Sequence, residues 1–124
     1  MDKYITFREW IINNGGKIEN LEYPAAFHHN GVLLGTAATR DLKPGDLIID
    51  IPVSLTVNRK TIRKSSIGHL MEKHPEIFDK HEEVDMSHVI WAFYEKLKQP
   101  EGCFWTPWFN IINITHLPAF WDDA

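Results

Sequence analysis

The residues of this 124-residue chain that could ligate a metal or act as a soft nucleophile are seven histidines and one cysteine. A zinc-type site draws ligands from positions that share a face, three or four apart on a helix. Here His28 and His29 are adjacent, His69 and His74 are five apart, and His81 and His88 are seven apart. No cysteine pair completes a set, so no metal site is expected. Cys103 stands directly before Phe104 and Trp105, where it reads as a small packed residue rather than a reactive thiolate. A nucleophile activated by a base is a meeting in space that spacing does not reveal. Gly31 and Gly35 do not form a dinucleotide fingerprint, and no phosphate-binding P-loop occurs. The paired acids Glu82-Glu83 and Asp122-Asp123 read as solvated surface. The densest basic stretch, Arg59, Lys60, Arg63 and Lys64, reads as a solvated helix face, with a phosphate-binding patch as its alternative.

Composition narrows the classes further. Hydrophobic residues make up 44% and charged residues 24%, with five Trp, which suits one folded domain and excludes a disordered or collagen-like chain. The formal charge of -4, with no dominant basic patch, argues against a nucleic-acid partner. No apolar run approaches the ~20 residues that span a bilayer, so no membrane partner is expected. A single cysteine makes no internal disulfide, and Met1 to Ile5 lack an apolar signal region. A cytoplasmic or nuclear location follows as the expectation.

The elements that must position any site divide the chain in two. Thr6-Phe7-Arg8-Glu9 is a candidate capping box, Phe7, Trp10, Ile11 and Asn14 follow at helical spacing, and Gly15-Gly16 supplies a stop. Residues 17–30 read as irregular or short extended structure. Val32 to Thr39 and Leu47 to Ile51 read as strands joined through Asp41 to Asp46, with Pro44-Gly45 as a type II turn. Ser66 is a candidate cap for a short helix carrying Ile67, Leu70 and Met71 up to His74-Pro75. A stronger helix opens at Asp85 or Ser87, with Met86, Val89, Ile90, Phe93, Tyr94 and Leu97 as its core stripe. A last helix, within Phe104 to Ile112, is opened by Trp105-Thr106-Pro107. Helix, strands, then helices is an α+β order.

The run Leu34-Gly35-Thr36-Ala37-Ala38-Thr39-Arg40-Asp41, followed by Pro44-Gly45-Asp46, the apolar Leu47 to Ile51 and Pro52, resembles the first β-hairpin of a SET domain. The version it resembles is that of protein methyltransferases similar to the Rubisco large-subunit methyltransferase. Phe7, Trp10 and Asn14-Gly15-Gly16 resemble that class's opening helix, and Ser65-Ser66-Ile67-Gly68 its later helix start. Phe104-Trp105 with Pro107-Trp108, then Leu117-Pro118 with Phe120-Trp121, resemble its aromatic segments.

The resemblance implies a partial SET β-fold in residues 1–58 and a helical insert in 59–124, together one SET domain without its C-terminal catalytic half. It implies S-adenosyl-L-methionine as cofactor, approached by the backbone of a loop at Val32, Leu33, Leu34 and Gly35. Leu33 replaces the first glycine of that pattern, and Val32 stands where relatives often carry a Glu. Trp105, Trp108, Phe109 and Trp121 are expected to pack rather than touch substrate. The implied reaction is methyl transfer to a protein lysine, or in one branch a histidine. The family's Asn-His pair and late Tyr have no counterpart, since no Asn-His dipeptide occurs and the tyrosines are Tyr4, Tyr23 and Tyr94. No catalytic residue is therefore assigned. The chain is expected to be a non-catalytic portion of such an enzyme, or else a SET-derived interaction module. In either case unpaired strand edges would favour association.

Overall fold

Gly15 and Gly16 stop the first helix as the sequence suggests. Gly15 has φ +88°, the Gly16 amide donates to the Ile11 carbonyl at 2.9 Å and the Gly15 amide to Ile12 at 3.1 Å, the paired bonds of a Schellman end. A Cβ on Gly16 would fall against the Ile11 side chain, so only glycine fits. The start differs from expectation. In the computed structural model, which describes residues 2–28, 32–78, 86–98 and 102–112, α1 spans Asp2–Asn13. Thr6 thus lies inside the helix rather than capping it. Nothing in residues 2–5 breaks the helix, and the extra turn brings Tyr4 edge-on to Tyr23, ring centres 6.3 Å apart.

Four strands follow: β1 (Lys17–Ile18), β2 (Leu21–His28), β3 (Val32–Ala38) and β4 (Ile49–Asp50). They form two separate two-stranded antiparallel sheets, β1 with β4 and β2 with β3. The expected pairing of 32–39 with 47–51 does not form. β3 instead takes Leu21–His28 as partner, with Phe27 opposite Leu33 and Ala25 opposite Gly35. Residues 17–30, read as irregular or short extended structure, supply the eight-residue β2, whose partner is near in sequence and cheap to close on. The register shifts between Glu22 and Ala25, where Pro24 has no amide hydrogen to give the ladder. The Pro44-Gly45 turn is present, with Gly45 at φ +95° and the Asp46 amide donating to Lys43 at 3.0 Å.

The helical half holds the core. After a 3-10 turn at Val53–Leu55 come α2 (Arg59–Arg63), α3 (Gly68–Lys73), α4 (Pro75–Phe78), α5 (Met86–Leu97) and α6 (Thr106–Ile111). Asn58 caps α2 by accepting from the Lys60 and Thr61 amides, while Thr61 accepts from the Asn58 amide, a capping box the sequence reading missed. Ser66 does not cap α3. Ile67 occupies that position with no side-chain bond, and Ser66 is one residue too early. Ile62, Ile67, Met71, Phe78, Trp91, Cys103 and Trp105 form one buried cluster. Trp10 of α1 and Trp108 and Phe109 of α6 pack against it, as expected of the aromatic segment. Trp121, the Leu117–Trp121 segment, Asp85, the paired acids and His29 and His81 lie outside the described residues. The two-part division at residue 58 rests on the sequence resemblance alone. Among the described residues no helix is long and apolar enough to cross a membrane.

Helix α5 is rotated from the expected stripe: Ile90 and Tyr94 pack against the core as read, but the rest of the stripe does not. Its fully buried residues are Ser87, Trp91 and Glu95, four apart on one stripe. Val89, Phe93 and Leu97, assigned to the core by periodicity, are 41%, 70% and 82% exposed. Trp91 finds the aromatic neighbours and carries Ser87 and Glu95 inward with it, leaving Val89, Phe93 and Leu97 outside. Unfolding in urea followed by circular dichroism tests this: Trp91→Ala is expected to cost about 3–5 kcal/mol, and Phe93→Ser to stay within about 0.5 kcal/mol. Comparable losses would restore the original stripe to the core.

Candidate functional site

The four positions that the resemblance assigns to the cofactor begin β3 rather than a free loop. Leu33 and Leu34 lie opposite Phe27 and Ala26, in register with β2. Leu33 is 69% exposed. Gly35 has a local reason of its own: a Cβ there would meet the Phe27 ring at 3.3 Å, tighter than the strand easily allows. Because this sheet has two strands, one backbone edge of β3 carries no ladder among the described residues. That edge is what these residues could offer S-adenosyl-methionine. Leu33, Leu34 and Gly35 bring no ionised side chain for its ammonium or carboxylate. The fit is thus through backbone alone, too little to derive a chemical step.

The residues that the hairpin motif does bring together serve the fold. Arg40 is a clamp: its Nε donates to Asn20 Oδ1 at 2.8 Å, and one terminal nitrogen to the Asp41 carbonyl at 2.7 Å and Asp46 Oδ2 at 2.8 Å. Asn20 sits at φ 58°, a left-handed position that asparagine tolerates, and donates on to the Leu47 carbonyl at 3.0 Å. Asp46 also accepts from the Lys43 amide at 2.8 Å. The Thr-Arg-Asp segment thus ties the 41–48 loop to the β1–β2 connection. Cross-strand Lys17 and Asp50 are 3.6 Å apart and exposed, a pair that adds little.

The tyrosines sit away from any such chemistry. Tyr23 lies under α1, contacting Tyr4 and Phe7, and its phenol is pushed up by burial and then by Tyr4. A phenol held protonated packs rather than acts as a base. Cys103 is buried, as expected of a packed residue, and its thiol lies 3.5 Å from Oε2 of Glu95. Glu95 is the charged core residue that sequence reading missed. It is compensated by Lys98, whose ammonium is 3.0 Å from Oε1, 3.3 Å from Ser66 Oγ and 4.4 Å from the Tyr94 ring centre. The only advance signal was the i, i+3 spacing of Glu95 and Lys98.

Compared with protein-family models, curated proteins and solved structures, the chain matches none.

The clamp makes a pH-dependent expectation. The Arg40 guanidinium, and next the Lys43 amide, hold the Asp46 carboxyl below the usual carboxylate range. A depressed folded value means the contribution is present above the unfolded value and is lost as pH falls through the folded one. Carbon-detected NMR titration should therefore give Asp46 a midpoint below that of a free aspartate. Arg40→Ala should return it upward and loosen the 41–48 loop in hydrogen exchange. An unchanged midpoint in that variant would remove Arg40 as the cause.

Proposed function

We propose that the chain is the N-terminal portion of an S-adenosyl-methionine-dependent SET protein-lysine methyltransferase and does not transfer methyl groups by itself. One structural observation carries the incompleteness. Val89, Phe93 and Leu97 form an exposed apolar stripe on α5, a helix whose Ile90, Trp91 and Tyr94 already pack against the core. An apolar stripe left this exposed marks a surface that another part of a larger body covers. Strand edges of β2 and β3 that are unpaired among the described residues, and the exposure of Leu33, point the same way. The ordered sequence resemblance of the opening helix, the Thr-Arg-Asp segment and the aromatic segment supplies the choice of family.

The protein substrate and the lysine it presents would be bound by the remaining half. In-line transfer needs a neutral amine aligned with the methyl carbon in a dry channel, and residues 32–35 build no such channel. The same apolar stripe favours a second reading, a SET-derived module that covers Val89, Phe93 and Leu97 with a partner chain. Both readings place the work in the cytoplasm or nucleus.

Two measurements separate them. Sequencing the transcript past the codon for Ala124 is expected to reveal an in-frame Asn-His pair and a later Tyr; an immediate stop codon would favour the module. Calorimetry of this chain with S-adenosyl-methionine is expected to show no micromolar binding, and micromolar binding would overturn the assignment of half a pocket. The isolated chain should also bind an apolar dye and associate in light scattering. Replacing Val89, Phe93 and Leu97 by Ser, Gln and Gln should reduce both signals, and a monomeric, dye-silent parent chain would sink the incompleteness argument.

A further inference from the structure

A cleft of about 350 Å³ opens between the 3-10 turn, α2 and the start of the aromatic segment. It shares no residue with β3, and its use does not depend on the methyltransferase reading. One wall is aromatic, formed by Phe104, Trp105 and the edge of Trp91. Trp91 and Trp105 are anchored in the core, whereas Phe104 is 49% exposed. Lys60 and Lys64, four apart on and just beyond α2, also line the cleft, as does Ser54. A shallower depression bounded by Arg59, Lys60, Arg63 and Lys64 continues the basic rim outward.

Most of the charge here has no carboxylate beside it among the described residues, although Arg59 donates to the Phe78 carbonyl at 3.3 Å. Residues 59–64 carry four cations and no acid, in a chain whose formal charge is -4. Among the described residues neither Lys60, Arg63 nor Lys64 pairs with a carboxylate, whereas Arg40, Lys17 and Lys98 each do. Lys60 with Lys64, and Arg59 with Arg63, are like-charge pairs at the i, i+4 spacing that weakens a helix. An anion in the cleft would relieve that repulsion. Its volume falls in the range of small-ligand sites, and rigid aromatic rings and flexible ammonium groups lining one cleft suit a planar body joined to a phosphate.

We propose that this cleft binds a small organic anion with an aromatic body, of the nucleoside phosphate class. The ammonium groups of Lys60 and Lys64 take the phosphate, and the base lies against Phe104 and Trp105. S-adenosyl-methionine, a cation overall, has the wrong charge for it.

Titration of the chain with adenosine monophosphate, followed by tryptophan fluorescence and calorimetry, tests the assignment. Saturable binding with Kd below about 1 mM is expected, with adenosine and inorganic phosphate each at least about tenfold weaker. The double variant Lys60→Glu with Lys64→Glu should lose at least about tenfold in affinity, and the milder Lys60→Gln with Lys64→Gln should lose less. Both lysines are exposed, and circular dichroism checks that the variants keep their fold. Absence of saturation, or affinity unmoved by both lysine variants, would overturn the site. Phosphate binding as tightly as the nucleotide would overturn the role of the aromatic wall.

Discussion

The edge-on contact between Trp91 and Trp105, ring centres 5.3 Å apart and planes at 88°, sets the arrangement of the helical half. Trp105 also lies 5.5 Å from Trp10 of α1, and Trp91 stacks near Phe109 at 6.2 Å. Three helices are thereby joined through two indoles. Aromatic pairs of this kind add about 0.5–1.5 kcal/mol each beyond the area they bury. Once Trp91 points inward, the rotation of α5 is fixed. Ser87 and Glu95 must then follow it into the core, and Val89, Phe93 and Leu97 must face out. The buried carboxylate is a consequence of that rotation, and Lys98 and the Cys103 thiol answer its cost.

The β half is organised by a different force. Its strands bury little: Ala25 is the one buried residue in β1 to β4 among the described residues, and Ile49 is 52% exposed. What holds the loops in place is the polar clamp of Arg40, Asn20 and Asp46, all at or near the surface. Hydrogen bonds of that exposure each contribute little, so their value is geometric. They fix where the 41–48 loop crosses the β1–β2 turn, while packing of α1 on Tyr23 attaches β2 to the helices. Core packing and polar clamping meet at α1.

The sequence was legible where a local device dictates the backbone. Gly15-Gly16, Pro44-Gly45 and the Thr106-Pro107 helix start each act within a few residues, and each appears as read. Reading failed where two choices were locally equal. Leu47 to Ile51 has the strand character to pair with β3, but Leu21–His28 has enough too, and the shorter closure won. On α5 the period of 3.6 placed Ile90 and Tyr94 correctly but favoured Val89, Phe93 and Leu97 over a stripe holding Ser87 and Glu95, and only the position of Trp105 in space turns Trp91 inward. Of the cofactor positions, the residue pattern of Val32 to Gly35 read as strand, whereas the resemblance placed a loop there. The reason for Gly35 was not legible, because Phe27 becomes its neighbour only through the unforeseen β2 pairing.

The unused apolar surface limits what the described structure can be doing. Burying a side chain of the size of Phe93, Leu97 or Leu33 is worth about 1.5–3 kcal/mol apiece, against a typical net stability of about 5–15 kcal/mol for a whole domain. A fold that leaves all three at 69% or more exposure forgoes an amount comparable to its own stability. Scattered exposed apolar residues need no explanation, but Val89, Phe93 and Leu97 fall four apart on one helix face and cannot be scattered. Selection for solubility alone would place lysine or glutamate there, as it does at the neighbouring exposed Lys96. Retaining the stripe makes physical sense if another polypeptide surface, in the same chain or a second one, lies against it.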